Sequence, residues 1–410
     1  MSARRRLLAG QLAGIIAIAA CWLCAGLAPF RDAAVGLAAP ADFARDYVAA
    51  RARLENGPGA PPRGEDGNRL AERLGAPRVE LLGAPYFIHP PTATLVTLPF
   101  ALLPWPMAAA AWAVIAAIAL VWLAGSLLAI AGRDRSAGMM LGTSILLALW
   151  PPTLYCLEKG QWSLWLAALM AAGFRAFESG RSRRAGALFG VAAALKVTPL
   201  LMLPLFARRD RRAALAMLAT LAGALLAAVL VVGPAALGAF LAGSGANTRA
   251  WAPWIGNTAS LAGVYARLTT DTRFARPLLA APALGQAAFA VTAAVALGGS
   301  AWATLRGAED PRARGRAAAV WMALTVVLNP LGWGHTLLML LPSLAVLGRE
   351  RPGWAPLAVA ALLTVPRQAL VAWAGPLPVA PAAGLWLGVH AAAAVAVLVA
   401  LCLPPVANSR

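Results

Sequence analysis

Charged residues are scarce in this sequence. Only 12% of its 410 residues are charged, whereas a soluble domain has roughly 25%. Hydrophobic residues make up 60% of the chain and the mean hydropathy is +0.71. Several apolar runs reach the roughly 20 residues that are needed to cross a bilayer. The composition therefore excludes a soluble protein and indicates an all-α polytopic membrane protein.

The sequence also lacks the local patterns of several familiar sites. It has no glycine loop of the kind that cradles phosphate, no zinc-ligand spacing and no nucleophile elbow. Its four cysteines lie in or beside apolar segments, and we expect them to be packing residues. They are Cys21, Cys24, Cys156 and Cys402. We predict neither a metal nor another cofactor.

The basic residues set the topology. The formal net charge is +19, but the arginines form short clusters between apolar segments and no continuous basic face, so a nucleic-acid partner is not expected. Such clusters mark the cytoplasmic side. The inward clusters are Arg4 to Arg6, Arg133/Arg135, Arg175 to Arg184, Arg208 to Arg212, Arg306 to Arg316 and Arg349/Arg351. The outward segments are then residues 30–104, 155–161, 241–276 and 376–381.

Two apolar segments each begin and end beside an inward cluster, so each must go out and come back. Residues 185–207 break at Lys196-Val197-Thr198-Pro199, and residues 316–348 break between Asn329 and His335. Limbs of about 11 to 13 residues rise roughly 16 to 20 Å, which is short of a core about 30 Å thick. We therefore predict paired short helices whose tips open into a cavity lined by protein.

With these pairs the chain forms one domain, residues 1–410, with about 12 spans and both termini in the cytoplasm. The first span is about residues 7–29. It is longer than the apolar core of a signal peptide, so we interpret it as an uncleaved helix and not as a signal peptide. The last two spans are near residues 354–375 and 382–404. We find no internal repeat.

The first outward segment, residues 30–104, is the longest stretch that is not apolar. Residues 41–50 can form an interfacial helix with Asp42 and Asp46 on one face. Residues 56–66 are rich in proline and glycine and are predicted to be irregular, and residues 91–104 form a second interfacial piece. Asp42 is the candidate general base, because a carboxylate at the boundary of the membrane can accept a proton. The alternatives are that Asp42 caps the helix and that Asp46 is the base.

Other polar residues at the outward tips are candidate ligands. Lys196 lies in an apolar hairpin, where a lysine needs an anionic partner, so it is a candidate phosphate ligand; alternatively, it extends to the interface. His335 and His89 are candidates at the same side, although a lone histidine often only completes a hydrogen-bond network. Gln161 and Asn257 can bind hydroxyl groups or simply form turns.

Several short motifs follow one another over about residues 40–350. They are Asp42-Phe43 with Tyr47 and Ala49-Ala50; His89-Pro90-Pro91 with Leu98-Pro99 and Leu103-Pro104; Gly160-Gln161; Gly186 with Lys196-Val197-Thr198-Pro199; Gly256-Asn257 with Ser260-Leu261; and Pro330 with Trp333 and His335. This ordered set resembles glycosyltransferase family 87. Each motif is short, but their order and their placement on one face of the membrane make the resemblance specific.

The resemblance implies a C-type glycosyltransferase fold and a transferase that uses polyprenyl-phosphate mannose. It implies an inverting reaction in the cell membrane with an extracytoplasmic active site, in which a hydroxyl of a lipid or glycan acceptor attacks a β-linked sugar. Asp42 corresponds to the base, and membrane lipids surround the enzyme. We expect Lys196 and His335 to bind the donor phosphate. The resemblance further implies substrate contacts by Tyr47, His89, Gln161, Asn257 and Trp333.

The chain departs from the family pattern at several positions. The family usually has Tyr at the position of His89, an aromatic residue at Asp46, Asn at Ser163 and Ser at Asn329. One extra residue precedes Ser260. Because of these differences, the resemblance does not determine the identity of the donor sugar or of the acceptor.

Three other functions remain open at this point. A lipid-linked sugar flippase or secondary transporter also has broken helices with polar residues, but the absence of a repeat argues against it. The same fold with another donor, such as a lipid-phosphate pentose, is a second alternative, because hydroxyl contacts set the choice of donor. A purely structural membrane protein is the third.

Overall fold

Helices dominate the part of the chain that the computed structural model describes. That part comprises residues 28–59, 62, 64–77, 89–252, 258–271, 276–305, 311–351, 359, 362, 363, 365 and 388–403, and it contains no β-strand. The prediction of an all-α protein is confirmed. Nearly all of the first predicted span, most of the span at 354–375, and Cys21 and Cys24 lie outside the described residues, as does Asn257.

The helices of the first half include those that hold the candidate site. In chain order they are α1 (Ala28–Ala38), α2 (Ala41–Asn56), α3 (Gly64–Arg73), α4 (Pro91–Ala101), α5 (Trp105–Ile130), α6 (Ala137–Leu149), α7 (Pro151–Lys159), α8 (Ser163–Glu178) and α9 (Ser182–Leu195). The interfacial helix predicted from residue 41 is thus α2. The piece predicted from residue 91 is α4, which ends three residues earlier than predicted.

The second half begins at the first predicted break. A 3₁₀ helix (Thr198–Met202) is followed by α10 (Leu203–Arg209), α11 (Arg211–Val231), α12 (Pro234–Trp251), α13 (Leu261–Thr269), α14 (Pro282–Leu305) and α15 (Pro311–Val327); a second 3₁₀ helix (Gly334–Leu340), α16 (Leu341–Glu350) and α17 (Val389–Cys402) complete the described chain. Both predicted breaks are present. α9 stops at Leu195 before extended Lys196, and α15 stops at Val327 before a turn that leads to Trp333.

Long apolar helices account for the membrane character. Among the described residues, α5, α11 and α14 are long and apolar enough to cross a bilayer, and the bent pair of α6 and α7 makes a fourth if counted as one span. α11 and α14 expose leucine, valine and tryptophan side chains outward, such as Leu230, Val295 and Trp302, as expected of lipid-facing surfaces. The predicted count of about 12 spans is not confirmed, because the breaks leave shorter helices such as the 16-residue α8.

Close contact between two helix backbones fixes the hairpin that carries Lys196. A Cβ atom on Gly186 would lie 2.0 Å from the Ala213 carbonyl oxygen, and one on Gly190 would lie 2.7 Å from the Met217 carbonyl oxygen. Glycines four residues apart allow helices to approach this closely. α9 therefore packs directly against α11.

An aromatic cluster anchors the N-terminal end of α2. The Phe43 ring stacks on Trp112 of α5 with centroids 4.6 Å apart, and Trp112 meets Trp162 edge to face at 4.6 Å. Such pairs add about 0.5–1.5 kcal/mol beyond the area that they bury. The cluster holds the first turn of α2, and with it Asp42, against α5 and α8.

We expect Gly186→Ala to destabilise the protein, because the new methyl group must displace the α11 backbone. Overpacking of this kind costs about 1–3 kcal/mol. Gly223→Ala on α11 is the matched control, since a Cβ atom there meets nothing within 4 Å. Thermal unfolding in detergent checks this: equal melting temperatures for the two variants would contradict the close α9–α11 contact.

Candidate active site

The two acidic residues of α2 have different surroundings. Asp42 lies in the first turn, and its side chain is 14% exposed. Asp46 lies one turn later and is buried at 3% exposure. The face that they share leads from the protein surface into the interior. The two carboxylates therefore differ in their access to a substrate.

Two residues hold the Asp42 carboxylate. The Gln161 amide Nε2 donates to Asp42 Oδ2 at 2.5 Å, and Arg45 Nη1 lies 3.1 Å from Asp42 Oδ1. The Lys196 ammonium is close enough for its charge to interact with the carboxylate. Asp42 is thus an oriented carboxylate that remains partly exposed.

The turn after α7 delivers Gln161 to Asp42. Gly160 ends α7 in the left-handed conformation, with φ of 67°, which glycine adopts without strain. A Cβ atom at this position would lie 2.6 Å from Pro40 Cβ and 2.7 Å from Phe43 Cβ. Gly160 therefore serves both as a turn residue and as the point where α7 meets the start of α2.

Asp46 is embedded in a buried hydrogen-bond network. Trp162 Nε1 donates to Asp46 Oδ2 at 2.8 Å, and His89 Nδ1 lies 3.0 Å from each carboxylate oxygen. The two departures from the family pattern at residues 46 and 89 are thus in direct contact. With its oxygens engaged inside the protein, Asp46 is less accessible to an acceptor than Asp42.

Lys196 lines a cavity of about 540 Å³. The Thr92 hydroxyl donates to the Ala194 carbonyl oxygen, which ties the segment after His89 to the end of α9. The Lys196 ammonium has no hydrogen bond or ion pair to another described residue. The wall of the cavity combines polar and apolar residues; the polar ones are His89, Lys196, Thr198, Ser244, Thr248 and Asn329, and the apolar ones include Val197, Leu200, Leu201, Leu203, Pro204, Phe240 and Leu331.

Two further polar atoms in this wall lack partners. Asn329 Nδ2 and Thr198 Oγ1 make no hydrogen bond in the described part of the chain. Buried polar atoms without partners cost about 1–3 kcal/mol each, so each calls for an explanation such as a ligand, an ion or an ordered water. Both belong to the helix breaks that the sequence predicted.

The second break brings His335 to the same region. Ser163 Oγ lies 2.8 Å from His335 Nδ1, and the ring packs beside Tyr155 with centroids 5.5 Å apart. His335 is buried at 2% exposure and interacts electrostatically with Lys196 and His89. His335 therefore lies near Lys196 and His89 but is not among the residues that line the cavity, so its placement in the cavity stays a prediction.

The remaining predicted residues lie elsewhere. Tyr47 is 1% exposed, and its hydroxyl donates to the Leu103 carbonyl oxygen at 2.8 Å. Burial raises the pKa of Tyr47, partly offset by Arg51. It therefore supports the wall of the site and does not open into the cavity. Trp333 is half-buried, with its ring centroid 6.0 Å from that of Trp251.

Sequence reasoning missed the partners of the two carboxylates. Arg45 follows Asp42 by three positions, a spacing that pairs charges on a helix, so this contact had a signal in the sequence. Trp162 comes directly after Gln161 but has no local pattern that points to Asp46. Its role depends on how α8 packs against α2.

We expect Asp46→Ala to destabilise the fold more than Asp42→Ala. The first change leaves Trp162 and His89 without their buried partner and should cost about 3 kcal/mol, whereas the more exposed Asp42–Arg45 pair contributes about 1 kcal/mol or less. Thermal unfolding of both variants in detergent measures the difference. A larger loss for Asp42→Ala would contradict the buried network.

Comparison with known proteins adds one finding. The sequence matches glycosyltransferase family 87 over residues 87–330, which is more than half of the chain. Comparisons with curated proteins and with solved structures gave no match. The matched range contains His89, Gln161 and Lys196; Asp42, Trp333 and His335 lie outside it.

Proposed function

The chain belongs to glycosyltransferase family 87, and from this premise we propose that it transfers a hexose, mannose in the first instance, from a polyprenyl-phosphate donor. The acceptor is a hydroxyl of a lipid or glycan on the extracytoplasmic side of the cell membrane. The observation that carries the proposal is that the Lys196 ammonium, which lines a cavity and has no ion pair in the described chain, lies close enough to the partly exposed Asp42 carboxylate for their charges to interact.

Asp42 acts as the general base. The acceptor oxygen bonds to the anomeric carbon as the bond from that carbon to the phosphate oxygen breaks, and the acceptor proton passes to the carboxylate. An inverting displacement needs one carboxylate on the acceptor side. Gln161 and Arg45 fix the orientation of this carboxylate, which supports Asp42 over Asp46.

Lys196 and His335 bind the donor phosphate. The leaving group, a lipid phosphate, gains negative charge as the glycosidic bond breaks, and a cation that is already in place offsets that charge. Lys196 is supported in this role by the lack of a protein partner. Thr198 and Asn329 add unpaired polar atoms beside it. This scheme calls for no metal.

The lipid chain of the donor follows the apolar part of the cavity. Besides Lys196, the wall includes Leu200, Leu201 and Leu203 and, from α12, Phe240. A groove that combines a cation with apolar side chains suits a molecule with a phosphate head and a hydrocarbon tail. His89, Gln161, Asn257 and Trp333 complete the proposed substrate contacts, and Tyr47 supports the wall behind them.

Asp42→Asn should abolish transfer while donor binding persists. The amide cannot accept the acceptor proton, and loss of a general base lowers kcat by about 10²–10⁴-fold. The assay uses purified protein in nanodiscs, radiolabelled polyprenyl-phosphate mannose and a lipid-extract acceptor pool. Asp66→Asn, which changes an exposed carboxylate, is the control. Full activity of Asp42→Asn would refute the assignment of the base, and a wild-type protein that leaves this donor untouched would refute the donor.

Lys196→Gln should weaken binding of the lipid phosphate. A hydrogen bond between charged groups contributes about 1.5–3 kcal/mol, so we expect the Kd to rise about 10- to 100-fold. Lys159→Gln is the matched control, because Lys159 already pairs with Glu158 at 2.7 Å. Titration of both variants in nanodiscs with polyprenyl phosphate measures the effect. Equal affinities would exclude Lys196 as the phosphate ligand.

A further inference from the structure

His89 presents an unused hydrogen-bonding nitrogen at the donor cavity. Its ring is 6% exposed and lines the cavity beside Lys196. Nδ1 is directed at Asp46, 3.0 Å from both carboxylate oxygens. Nε2 has no hydrogen-bond partner among the described residues, and it is not one of the solvent-inaccessible atoms without partners. The free nitrogen is therefore accessible from the cavity.

Asp46 determines which nitrogen of His89 carries the hydrogen. An ionised carboxylate only accepts hydrogen bonds, so Nδ1 must donate to it. In the neutral ring, Nε2 then keeps its lone pair and acts as an acceptor. The indole N–H of Trp162 donates to Asp46 Oδ2 and so restricts the rotation of the carboxylate. This is the arrangement in which an outer carboxylate fixes the orientation and tautomer of a histidine.

His390 provides a contrast to His89. His390 Nδ1 lies 2.9 Å from Thr258 Oγ1, and its Nε2 lies 3.0 Å from the Val365 carbonyl oxygen. Both of its nitrogens are satisfied inside the protein, as in a histidine with a structural role. His89 has one nitrogen satisfied and one directed at a cavity.

We propose that His89, oriented by Asp46, accepts a hydrogen bond from one hydroxyl group of the donor sugar and thereby selects the sugar. The proposal rests on the proposed function, because it assumes a lipid-phosphate sugar in this cavity. Lys196 supplies a cation for the phosphate, so an uncharged acceptor nearby fits the neutral, hydroxylated part of the same molecule. His89 contacts the substrate; Asp46 is a positioning residue that acts through it.

The contribution of this hydrogen bond to the choice of donor can be measured as a ratio of kcat/KM values. A donor that lacks the recognised hydroxyl leaves Nε2 without its partner in the complex, which costs about 1–3 kcal/mol, or about 10- to 100-fold in kcat/KM. A donor that lacks any other hydroxyl does not meet this penalty at His89. The discrimination that depends on His89 should therefore fall on one position of the sugar.

The test compares polyprenyl-phosphate mannose with its 2-, 3-, 4- and 6-deoxy analogues in nanodiscs. We expect the wild type to lose about 10- to 100-fold in kcat/KM on one analogue through His89. In His89→Phe, the parent donor and that analogue should be used equally. Because this change leaves a buried carboxylate unpaired, Asp46→Asn/His89→Phe is measured beside it and should behave in the same way.

Asp46→Asn isolates the positioning role. The amide can also donate to Nδ1 and so allows the other tautomer, which should reduce discrimination at that one hydroxyl and leave use of the deoxy analogue unchanged. His390→Phe is the matched control; it should lower the melting temperature without altering the preference among donors. A purely structural Asp46 would lower kcat/KM for all five donors equally.

The outcomes separate this proposal from the one on which it rests. If the wild type transfers mannose but His89→Phe keeps the full discrimination, or if the wild type shows none, the role of His89 is overturned and the proposed function stands. If the wild type transfers none of the five sugars, the proposed donor is overturned together with the role of His89.

Discussion

Backbone that leaves a helix at bilayer depth must find its hydrogen bonds inside the protein, and the candidate site depends on how two such segments do so. After α15, the chain is held by the segment before α13: Ala259 donates its N–H to the Gly332 carbonyl oxygen at 2.7 Å, and the Ser260 hydroxyl donates to Pro330 at 3.1 Å. A Cβ atom on Gly332 would meet the Ala259 carbonyl carbon at 2.7 Å. The break is thus stabilised by close contact with another part of the chain. The same breaks bring Lys196 and Asn329 into the wall of one cavity and place His335 close enough to Lys196 for an electrostatic interaction.

Asp42 and Asp46, one helical turn apart, show how packing gives different roles to two side chains of the same type. Asp42 retains access to solvent because its partners, Gln161 and Arg45, lie beside it, whereas Asp46 is covered by Trp162 and His89. A partly exposed anion can exchange a proton with a substrate at little cost, but proton transfer to a buried and fully hydrogen-bonded anion disrupts its network. The aromatic contact of Phe43 with Trp112 sets this difference, since it fixes the rotation of α2 about its axis.

The features that the sequence predicted are those that local chemistry determines. Pro199 and Pro330 disfavour a continuous helix, and arginine clusters on both sides of a short apolar segment predict a return, so the two breaks followed from the sequence alone. The contact between Asp46 and His89 spans 43 positions, and no periodicity reports a pairing at that distance. Tyr47 belongs to the same motif as Asp42, yet its position on α2 turns it toward Leu103 and Trp105. The number of spans could not be predicted, because broken helices are shorter than the roughly 20 residues by which an apolar run is recognised as a membrane span.

Unsatisfied polar groups are a cost to the folded state that only a ligand can remove. Asn329 Nδ2 and Thr198 Oγ1 lack partners in the described chain, and Lys196 has no counterion there, yet all three share a wall with an accessible His89 nitrogen. Each group alone could be an accident of packing, as a buried hydroxyl without a partner occurs in most proteins. Buried polar atoms without partners also occur elsewhere in the described chain, as at Ser126 and Thr153, so these atoms alone do not mark a site. What distinguishes this cavity is that a lysine ammonium without a counterion lies in the same wall. Stability given up at a site is the usual consequence of selection for binding. The cation and the apolar side chains of this wall are the groups that the proposed lipid-phosphate donor needs.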